Sequence, residues 1–341
     1  MGDAKQPLVV STGKGLYCPQ GDFYIDPWKK VERAVITHAH SDHARPGSKK
    51  YLTAQDGLRV LQARLGKKAQ IETLQYGEPV TISGVKVSLH SAGHVLGSAQ
   101  VRIEHQGRIW VASGDYKTSF DATCAPFETV RCHCFITEST FGLPIYRWQD
   151  PRVIGSEMNA WWQENQRCGR NSVLYAYSFG KAQRLLSLLD PSIGTIYVHS
   201  AIAKMNNEYI ASGINLPECK SIDDFDYAAG PAMIITPPSA AEPVWMSAGG
   251  EFACGFASGW MQIRSNRDER IYDRSFVLSD HADWNELLQV IKNTGAEEVV
   301  VTHGYVQPLV RYLNEQGIKS RSFRTPYSGE SGMNSSENEE N

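Results

Sequence analysis

The sequence predicts an α/β protein, and three observations along the chain support this fold class. Short segments rich in branched apolar residues dominate the first third. Helical and strand-like segments alternate in the middle of the chain, and a strand, a helix, a strand and a helix follow one another near its end. Alternation of this kind is typical of sheets that are covered by helices.

The composition is that of a globular protein with one large or two smaller domains. The chain has 341 residues, of which 41% are hydrophobic and 21% are charged. Because we find no apolar run of transmembrane length and no signal-peptide pattern, we expect a cytoplasmic protein without a membrane segment. A formal net charge of −3 neither indicates nor excludes a nucleic-acid substrate.

The seven cysteines are scattered along the chain, which favours reduced thiols over a disulfide framework. Cys132 and Cys134 flank His133, and this spacing raises the question of a zinc site. No second cysteine pair lies at ligand spacing, so we interpret the segment as the start of a strand.

Five strand candidates make the first third mostly β. They are rich in β-branched residues, and they are broken by glycine or end in polar residues, as strands do where they reach a surface. These candidates are residues 22–28, 33–40, 85–90, 99–104 and 108–115.

The middle of the chain is predicted to be an α/β insertion. Apolar residues at helical spacing indicate helices at 156–166 and 180–190, with a strand at 172–177 between them. We expect residues 201–257 to be irregular, because the segment carries a cluster of prolines and small residues at 236–243.

A more regular unit is predicted after the insertion. A strand at 275–279 precedes a helix that begins with Asp283 and Glu286 as a capping box. A strand at 297–304 and a further helix follow, and the order predicts a βαβ crossover with parallel strands. His281 would then lie just past the end of one strand of a neighbouring pair, at the edge where open sheets hold their sites.

The segment VITHAHSDHARPG, residues 35–47, has the residue types of a metal site. In an extended chain His38 and His40 point the same way and can bind one ion, whereas Asp42 and His43 can face a second ion. Imidazole and carboxylate groups suit zinc, manganese or iron. The alternative interpretation is a chance cluster of surface residues.

Two ions need further ligands, and three positions elsewhere in the chain are candidates. His94, Asp115 and His303 each follow an apolar run and stand close to a glycine, which allows a turn to direct the side chain toward a shared point. Taken alone, each would equally suit a buried, hydrogen-bonded residue.

These residues, in this order, resemble the motifs of the metallo-β-lactamase fold, and the later ones resemble those of the β-CASP nucleases. The resemblance implies an αββα sandwich with an inserted β-CASP α/β domain. It also implies two divalent metal ions, zinc being expected and manganese the alternative. The implied ligands are His38, His40 and His94 for the first ion and Asp42, His43 and His303 for the second, with Asp115 as the bridge.

Three more residues match positions of this family. Glu138 in ITESTFG and His281 in LSDHAD match an acidic residue and a histidine that the resemblance implies to be catalytic together with Asp115. His281 would donate a proton to the leaving oxygen and Glu138 would keep it charged and in place. Asp26 in YIDPW matches the first motif, whose aspartate supports the metal ligands by hydrogen bonding.

The resemblance covers the chain to about residue 325 and implies its domains. The metallo-β-lactamase domain would comprise residues 1–140 and 276–325, and a β-CASP insertion at 141–275 would clamp nucleic acid against the metals. The acidic end of the chain, residues 326–341, has the composition of a disordered tail.

The motif YSFGKAQR within the predicted insertion is a candidate phosphate-binding turn. It places Ser178, Gly180 and Lys181 where a strand meets a helix, and amides and a cation can bind a phosphate there. The alternative interpretation is an ordinary glycine turn at the start of a helix.

A more specific resemblance is to the bacterial ligase-associated DNA exonucleases. It rests on the motifs GLYCPQGDFYIDPW, THAHSDHARPG, AGHVLGSAQ, SGDYK, ESTFGLPIYRW and GKAQR. This resemblance implies a metal-dependent DNA exonuclease in DNA repair, associated with an ATP-dependent DNA ligase and a helicase.

Three other functions stay open at this point. Within the β-CASP group a histidine at the position of His303 is commoner in RNA-processing members, so an RNA-processing nuclease is the first alternative to a DNA exonuclease. A small-molecule hydrolase would not need the insertion, and a non-catalytic scaffold would have lost ligands that this sequence retains.

Overall fold

The computed structural model describes residues 6–240, 250–263 and 272–323, which divide into two compact units. The first unit takes its described residues from the chain up to Phe120, from Cys124–Pro144 and from His281 onward. The second unit consists of Asp121–Thr123 and Ile145–Asp280. The domain boundaries expected from the resemblance stay predictions, and the predicted tail 326–341 lies outside the described residues.

Nineteen strands and six α-helices are found in the described part of the chain. The strands are β1 Val10–Thr12, β2 Gly15–Cys18, β3 Phe23–Ile25, β4 Arg33–Val35, β5 Lys50–Ala54, β6 Ile71–Leu74, β7 Pro79–Ile82, β8 Val85–Ser91, β9 Ala99–His105, β10 Arg108–Ala112, β11 Cys134–Ser139, β12 Asn171–Tyr175, β13 Ile196–Val198, β14 Lys220–Ser221, β15 Met233–Thr236, β16 Phe252–Ala257, β17 Arg274–Phe276, β18 Glu298–Gly304 and β19 Ser320–Ser322. The helices are α1 Leu58–Leu65, α2 Pro151–Arg167, α3 Lys181–Leu188, α4 Ser200–Ala211, α5 Trp284–Thr294 and α6 Val306–Glu315.

The first unit contains two sheets that pack face to face. One sheet has the strand order β1 to β6, and the other has the order β19-β18-β11-β10-β9-β8-β7. Val35 and Leu52 of the first sheet share a buried apolar cluster with Val87, Val101 and Ile136 of the second. Burial of these side chains from both sheets removes apolar surface from water and so holds the two layers together.

Helices α5 and α6 cover the other face of the seven-stranded sheet. Val111 and Val301 on that face pack with Leu287 of α5 and Leu309 of α6 in a second buried cluster. The seven-stranded sheet is therefore buried on both faces, which explains the near-continuous apolar runs in β11 and β18.

The second unit is a parallel sheet flanked by helices. Its strand order is β14-β13-β15-β12-β16-β17, and every neighbouring pair is parallel. Helix α2 begins where the Asp150 carboxylate accepts a hydrogen bond from Arg152 N, with Pro151 at the first helical position. Met158 and Trp162 of α2 are buried in the same cluster as Leu174 of β12.

The mixed α/β class predicted from the sequence is found, but two local predictions were wrong. The region 201–257 is not irregular throughout, since it holds most of α4 together with β15 and β16. The strand β17 pairs with β16, whereas β18 pairs with β11 and β19. The predicted βαβ crossover from 275–279 to 297–304 is therefore absent among the described strands, because periodicity identifies a strand without identifying its partner.

The capping box predicted for the start of α5 is found. Asp283 accepts a hydrogen bond from Glu286 N, and the Glu286 side chain accepts one from Asp283 N. Gly295 ends the helix in the left-handed conformation with φ of 64°. Within residues 6–240, 250–263 and 272–323, no helix is long and apolar enough to cross a bilayer.

Two glycines with the same backbone angle offer a test of the packing in the first unit. Gly97 has φ of 74° and Gly107 has φ of 75°, but a Cβ at Gly97 would collide with the backbone of Gly57 whereas one at Gly107 would meet nothing within 4 Å. We expect Gly107→Ala to lower the free energy of unfolding by about 1 kcal/mol through backbone strain alone. We expect Gly97→Ala to lower it by about 3 kcal/mol, because the collision adds to the strain. Urea titrations of both variants measure the difference, and equal losses would contradict the close backbone contact.

Candidate metal centre

The candidate ligands lie where several strands end at one edge of the first unit. Asp115 follows β10 by three residues, Glu138 lies near the end of β11, and His303 lies near the end of β18. These three strands are parallel neighbours, so their carboxyl ends meet at the same edge. His38 and His40 lie in the loop after β4, which ends at Val35, rather than in the strand as predicted.

One group of possible ligands consists of His38, His40, His94 and Asp115, whose candidate ligand atoms all lie within 4.8 Å of one another. The Nε2 atoms of His38 and His94 are 3.6 Å and 3.9 Å from Asp115 Oδ2. His94 Nε2 is 3.2 Å from His40 Nδ1. Three imidazoles thus converge on one side of the Asp115 carboxylate.

A second group consists of His43, Asp115 and His303, again within 4.8 Å. His43 Nε2 is 3.4 Å from Asp115 Oδ2, and His303 Nε2 is 2.8 Å from Asp115 Oδ1. Asp115 belongs to both groups, which is the arrangement that a bridging ligand requires.

Asp42, the remaining predicted ligand, lies at the edge of the second group. Its Oδ2 atom is 3.4 Å from His43 Nε2, and its side chain is 40% exposed. No three-residue group of possible ligands among the described residues includes it. The assignments of all these residues to particular ions stay predictions.

The far nitrogen of each of three histidines is held by another protein group. Asp26 Oδ2 is 2.8 Å from His43 Nδ1. Thr37 Oγ1 is 3.0 Å from His38 Nδ1, and Thr302 Oγ1 is 3.1 Å from His303 Nδ1. Contacts of this kind fix the orientation of the ring and leave Nε2 directed at the centre of the site, as in known metal centres.

Asp26 is itself held in place from two directions. It accepts hydrogen bonds from Thr37 N at 2.8 Å and from Thr37 Oγ1 at 2.6 Å. Its backbone has φ of 42°, an uncommon conformation for a residue other than glycine. Asp26 thus links His43 to Thr37, and its role in supporting metal ligands stays a prediction.

Glu138 and His281 form a pair beside Asp115. His281 Nδ1 is 3.0 Å from Glu138 Oε2 and 4.0 Å from Asp115 Oδ2. Glu138 is buried, and its Oε1 atom accepts a hydrogen bond from Tyr116 N at 2.7 Å. The carboxylate therefore holds one side of the imidazole ring in a fixed orientation.

The donor set fits divalent cations. His38 Nε2 is buried and has no hydrogen-bond partner among the described residues, although it faces the site. Burial, reinforced by the neighbouring His43, holds the pKa of His38 well below its usual range, so the ring is in the neutral form that binds metal. Burial alone would raise the pKa of the Asp115 carboxyl, but His43 and His303 hold it well below its usual range. A neutral imidazole such as that of His38 and an ionised carboxylate such as that of Asp115 are typical ligands of zinc and similar ions.

The predicted phosphate-binding turn has other partners in the structure. Lys181 is buried, and its Nζ atom is 2.5 Å from Asp280 Oδ1 in the second unit. Gly180 N donates to the Gln183 side chain at 2.8 Å, and Gln183 Nε2 donates to Ser178 O. These contacts favour the alternative, a glycine turn that begins helix α3, and the phosphate-binding role stays a prediction.

The Cys132 and Cys134 thiols show no feature of a zinc site. Burial raises the pKa of each thiol to about 12, so neither is ready to form the thiolate that binds metal. His133 Nδ1 accepts a hydrogen bond from Ile109 N at 3.0 Å.

Several residues of the site were missed at the sequence level. Thr37 and Thr302 each precede a predicted ligand, and this position was the signal that could have identified them. Lys117 is buried two residues after Asp115, and its Nζ atom donates to His281 O at 3.4 Å. This lysine belongs to the SGDYK motif, but nothing in the sequence indicates that it contacts His281.

Three named proteins are similar to this chain in sequence. It is 28% identical over 334 residues to a protein of Opitutus terrae named "Probable DNA ligase", covering 97% of this chain and 32% of that protein. It is 30% identical over 225 residues to cleavage and polyadenylation specificity factor subunit 3 of Dictyostelium discoideum, covering 60% of this chain and 28% of that protein. It is 23% identical over 351 residues to endoribonuclease YSH1 of Eremothecium gossypii, covering 83% of this chain and 44% of that protein. The chain thus spans less than half the length of each of these relatives.

A solved structure shares the fold. A protein of unknown function from Enterococcus faecalis V583 aligns with a TM-score of 0.56 and 13% identity, covering 86% of this chain and 78% of that chain. No family model matches the chain. The relatives, together with the histidine and aspartate cluster, agree with the resemblance seen in the sequence motifs. The chain is thus similar to the β-CASP nucleases of the metallo-β-lactamase fold.

Proposed function

We propose that the protein is a metal-dependent DNA exonuclease that hydrolyses phosphodiester bonds in DNA repair. In this proposal the first unit is a metallo-β-lactamase αββα sandwich and the second is the β-CASP domain that binds nucleic acid. The candidate centre would hold two divalent ions, zinc or alternatively manganese. An ATP-dependent DNA ligase and a helicase act with it in the cytoplasm.

The observation that carries the proposal is the position of Asp115. It contacts imidazoles of both ligand groups, with Oδ2 3.6 Å from His38 Nε2 and 3.9 Å from His94 Nε2 of the first group, and Oδ1 2.8 Å from His303 Nε2 of the second. The Glu138 and His281 pair lies beside the same carboxylate. A phosphodiesterase with two metal ions needs a bridging ligand and a proton donor next to each other, and this site contains candidates for both.

The ligands define what the site does to a phosphodiester. Divalent cations bound here supply Lewis-acid stabilisation of the phosphate oxygens and make a water molecule more acidic. Asp115 belongs to both groups of ligands and so fixes the distance between them. In the proposal it also accepts a hydrogen bond from the attacking water. Asp26, Thr37 and Thr302 keep the imidazole rings oriented, so the site needs little rearrangement during the reaction.

His281 is assigned the proton transfer to the leaving oxygen. Its Nδ1 atom faces Glu138 Oε2 at 3.0 Å, so Nε2, on the other side of the ring, is the donor to the substrate. The buried Glu138 carboxylate stabilises the charged imidazolium and prevents the ring from turning. Both residues are therefore catalytic in the proposal, together with Asp115.

The names of the relatives give support to both DNA and RNA as the substrate. The relative that aligns with 97% of this chain is named as a DNA ligase, and this supports DNA. The relatives named as a polyadenylation factor subunit and an endoribonuclease favour RNA. An RNA-processing nuclease is therefore the second candidate function.

Nucleic-acid digestion distinguishes the candidates. Single- and double-stranded DNA and RNA of the same sequence, labelled at either end, are incubated with the protein and added zinc or manganese. We expect single nucleotides to be released from DNA, and the labelled end that disappears first reports the polarity. Degradation of RNA without degradation of DNA would instead support the second candidate, and turnover of neither would reject both.

The bridging role of Asp115 predicts a joint loss of metal and activity. Asn keeps the size of the side chain but loses the charge, so we expect Asp115→Asn to bind less metal and to lose hydrolysis by about a thousandfold. Metal content is measured by mass spectrometry before and after dialysis against a chelator. Asp224→Asn, an exposed carboxylate in the second unit, serves as the control and should retain both. Full metal content in Asp115→Asn would contradict the bridge.

The role of His281 predicts a loss that depends on the leaving group. We expect His281→Ala to keep its metal and to hydrolyse DNA about a thousandfold more slowly. The loss should be much smaller with bis(p-nitrophenyl) phosphate, because a nitrophenolate leaving group needs no proton. His105→Ala is the matched control, because it removes an imidazole that lies at the end of β9 and belongs to neither ligand group. Equal losses on both substrates would rule out proton donation by His281.

A further inference from the structure

An exposed aromatic side chain follows Asp115 by five residues in the chain. Phe120 is 75% exposed, more than any other large apolar residue in the described part of the chain. The other large apolar residues that are exposed are Ile145, Val153 and Ile210, at 47% to 55%. A phenylalanine in water forgoes the stabilisation of about 1.5 to 3 kcal/mol that burial would bring. Its ring is therefore accessible to a binding partner.

The loop that presents Phe120 is anchored on its inner side. Thr118 Oγ1 and Ser119 N both donate to Glu286 Oε1, at 2.5 Å and 3.0 Å. Lys117 is buried, and its Nζ atom lies 3.9 Å from Glu286 Oε2. Three consecutive residues before Phe120 are thus held by one carboxylate, so the ring is presented on a fixed backbone.

The same contacts place this loop next to the catalytic residues. Asp115 precedes Phe120 by five residues, and Glu286 also accepts a hydrogen bond from Asp283 N, two residues after His281. Ala282 N donates to Tyr116 O at 2.7 Å. The backbone segments that carry Asp115 and His281 are therefore bonded to each other at Tyr116, four residues before Phe120.

We propose that Phe120 stacks on an unpaired base of the nucleic-acid substrate, close to the phosphodiester bond that is cleaved. This inference rests on the proposed nuclease function and adds a substrate-binding residue to it. Every base has an aromatic face, so stacking binds a strand without selecting a sequence, as a degradative nuclease requires. A flat ring on a fixed loop loses little conformational entropy when a base stacks on it. The contact favours single-stranded or frayed ends, where bases are unpaired.

Two substitutions at this position separate stacking from simple apolar contact. On a single-stranded oligonucleotide we expect Phe120→Ala to raise KM about tenfold with little change in kcat. Phe120→Trp should keep KM at or below the wild-type value, because the larger ring stacks at least as well. Ile210→Ala removes a comparably exposed apolar side chain from α4 and is the matched control, with KM unchanged. Thermal unfolding of each variant verifies the fold.

An abasic substrate tests whether the contact is with a base. Oligonucleotides that lack the base at successive positions near the cleaved end are compared in the wild type and in Phe120→Ala. We expect one position at which removal of the base raises KM in the wild type but has no further effect in Phe120→Ala. Equal effects in both proteins at every position, or an unchanged KM in Phe120→Ala on the intact strand, would overturn the proposal. If Phe120 instead binds another protein, the KM of Phe120→Ala on the intact strand is unchanged.

Binding measurements keep this inference separate from the nuclease assignment. Kd values for the same labelled oligonucleotides are obtained by fluorescence anisotropy, which needs no turnover. Kd values that depend on Phe120 and on the base, without any hydrolysis, would support the stacking contact and reject the nuclease function. Hydrolysis with Kd and KM values independent of Phe120 would reject only the stacking contact. Absence of both binding and hydrolysis would reject the two together.

Discussion

The site depends on one constraint, the need to balance the charge of the buried Asp115 carboxylate. An ionised carboxylate away from water is costly unless positive charge or hydrogen-bond donors surround it. Five histidines approach Asp115 within 4.0 Å, namely His38, His43, His94, His281 and His303. They come from widely separated parts of the chain, so the two sheets of the first unit must be correctly paired before the charge is balanced.

The layers of support around the ligands follow from the same constraint. Imidazoles that share one small space must keep fixed orientations, or their nitrogens would turn away from the carboxylate. Thr37 and Thr302 supply hydroxyl groups from the residue before His38 and before His303, and Asp26 supplies a carboxylate to His43. Thr37 also donates hydrogen bonds to Asp26, so the group that orients His38 and the group that orients His43 are bonded to each other. Removing any one would free a ring without removing a ligand.

The sequence indicated these residues better than it indicated how the strands pair. The dense cluster at 38–43 identified a metal site because its residue types are rare together, and the capping box at Asp283 and Glu286 identified the start of α5 because such signals are local. Strand β17 was assigned to the wrong sheet, because a strand and its neighbour can be distant in sequence. Lys117 and Phe120 carried no local signal at all, since burial and exposure in a loop depend on the packing of segments more than a hundred residues away.

The connection between β11 and β18 has a consequence for the order in which the molecule is assembled. These strands are neighbours in the sheet, with Ser139 opposite Gly304, yet the whole of Ile145–Asp280 lies between them in the chain. A ribosome therefore completes the second unit before it synthesises β18. His38, His40, His94 and Asp115 are already available at that stage, whereas His281 and His303 are not. Pairing across so long a segment is slow to form, so His281 and His303 are the last residues of the candidate centre to reach their positions during translation.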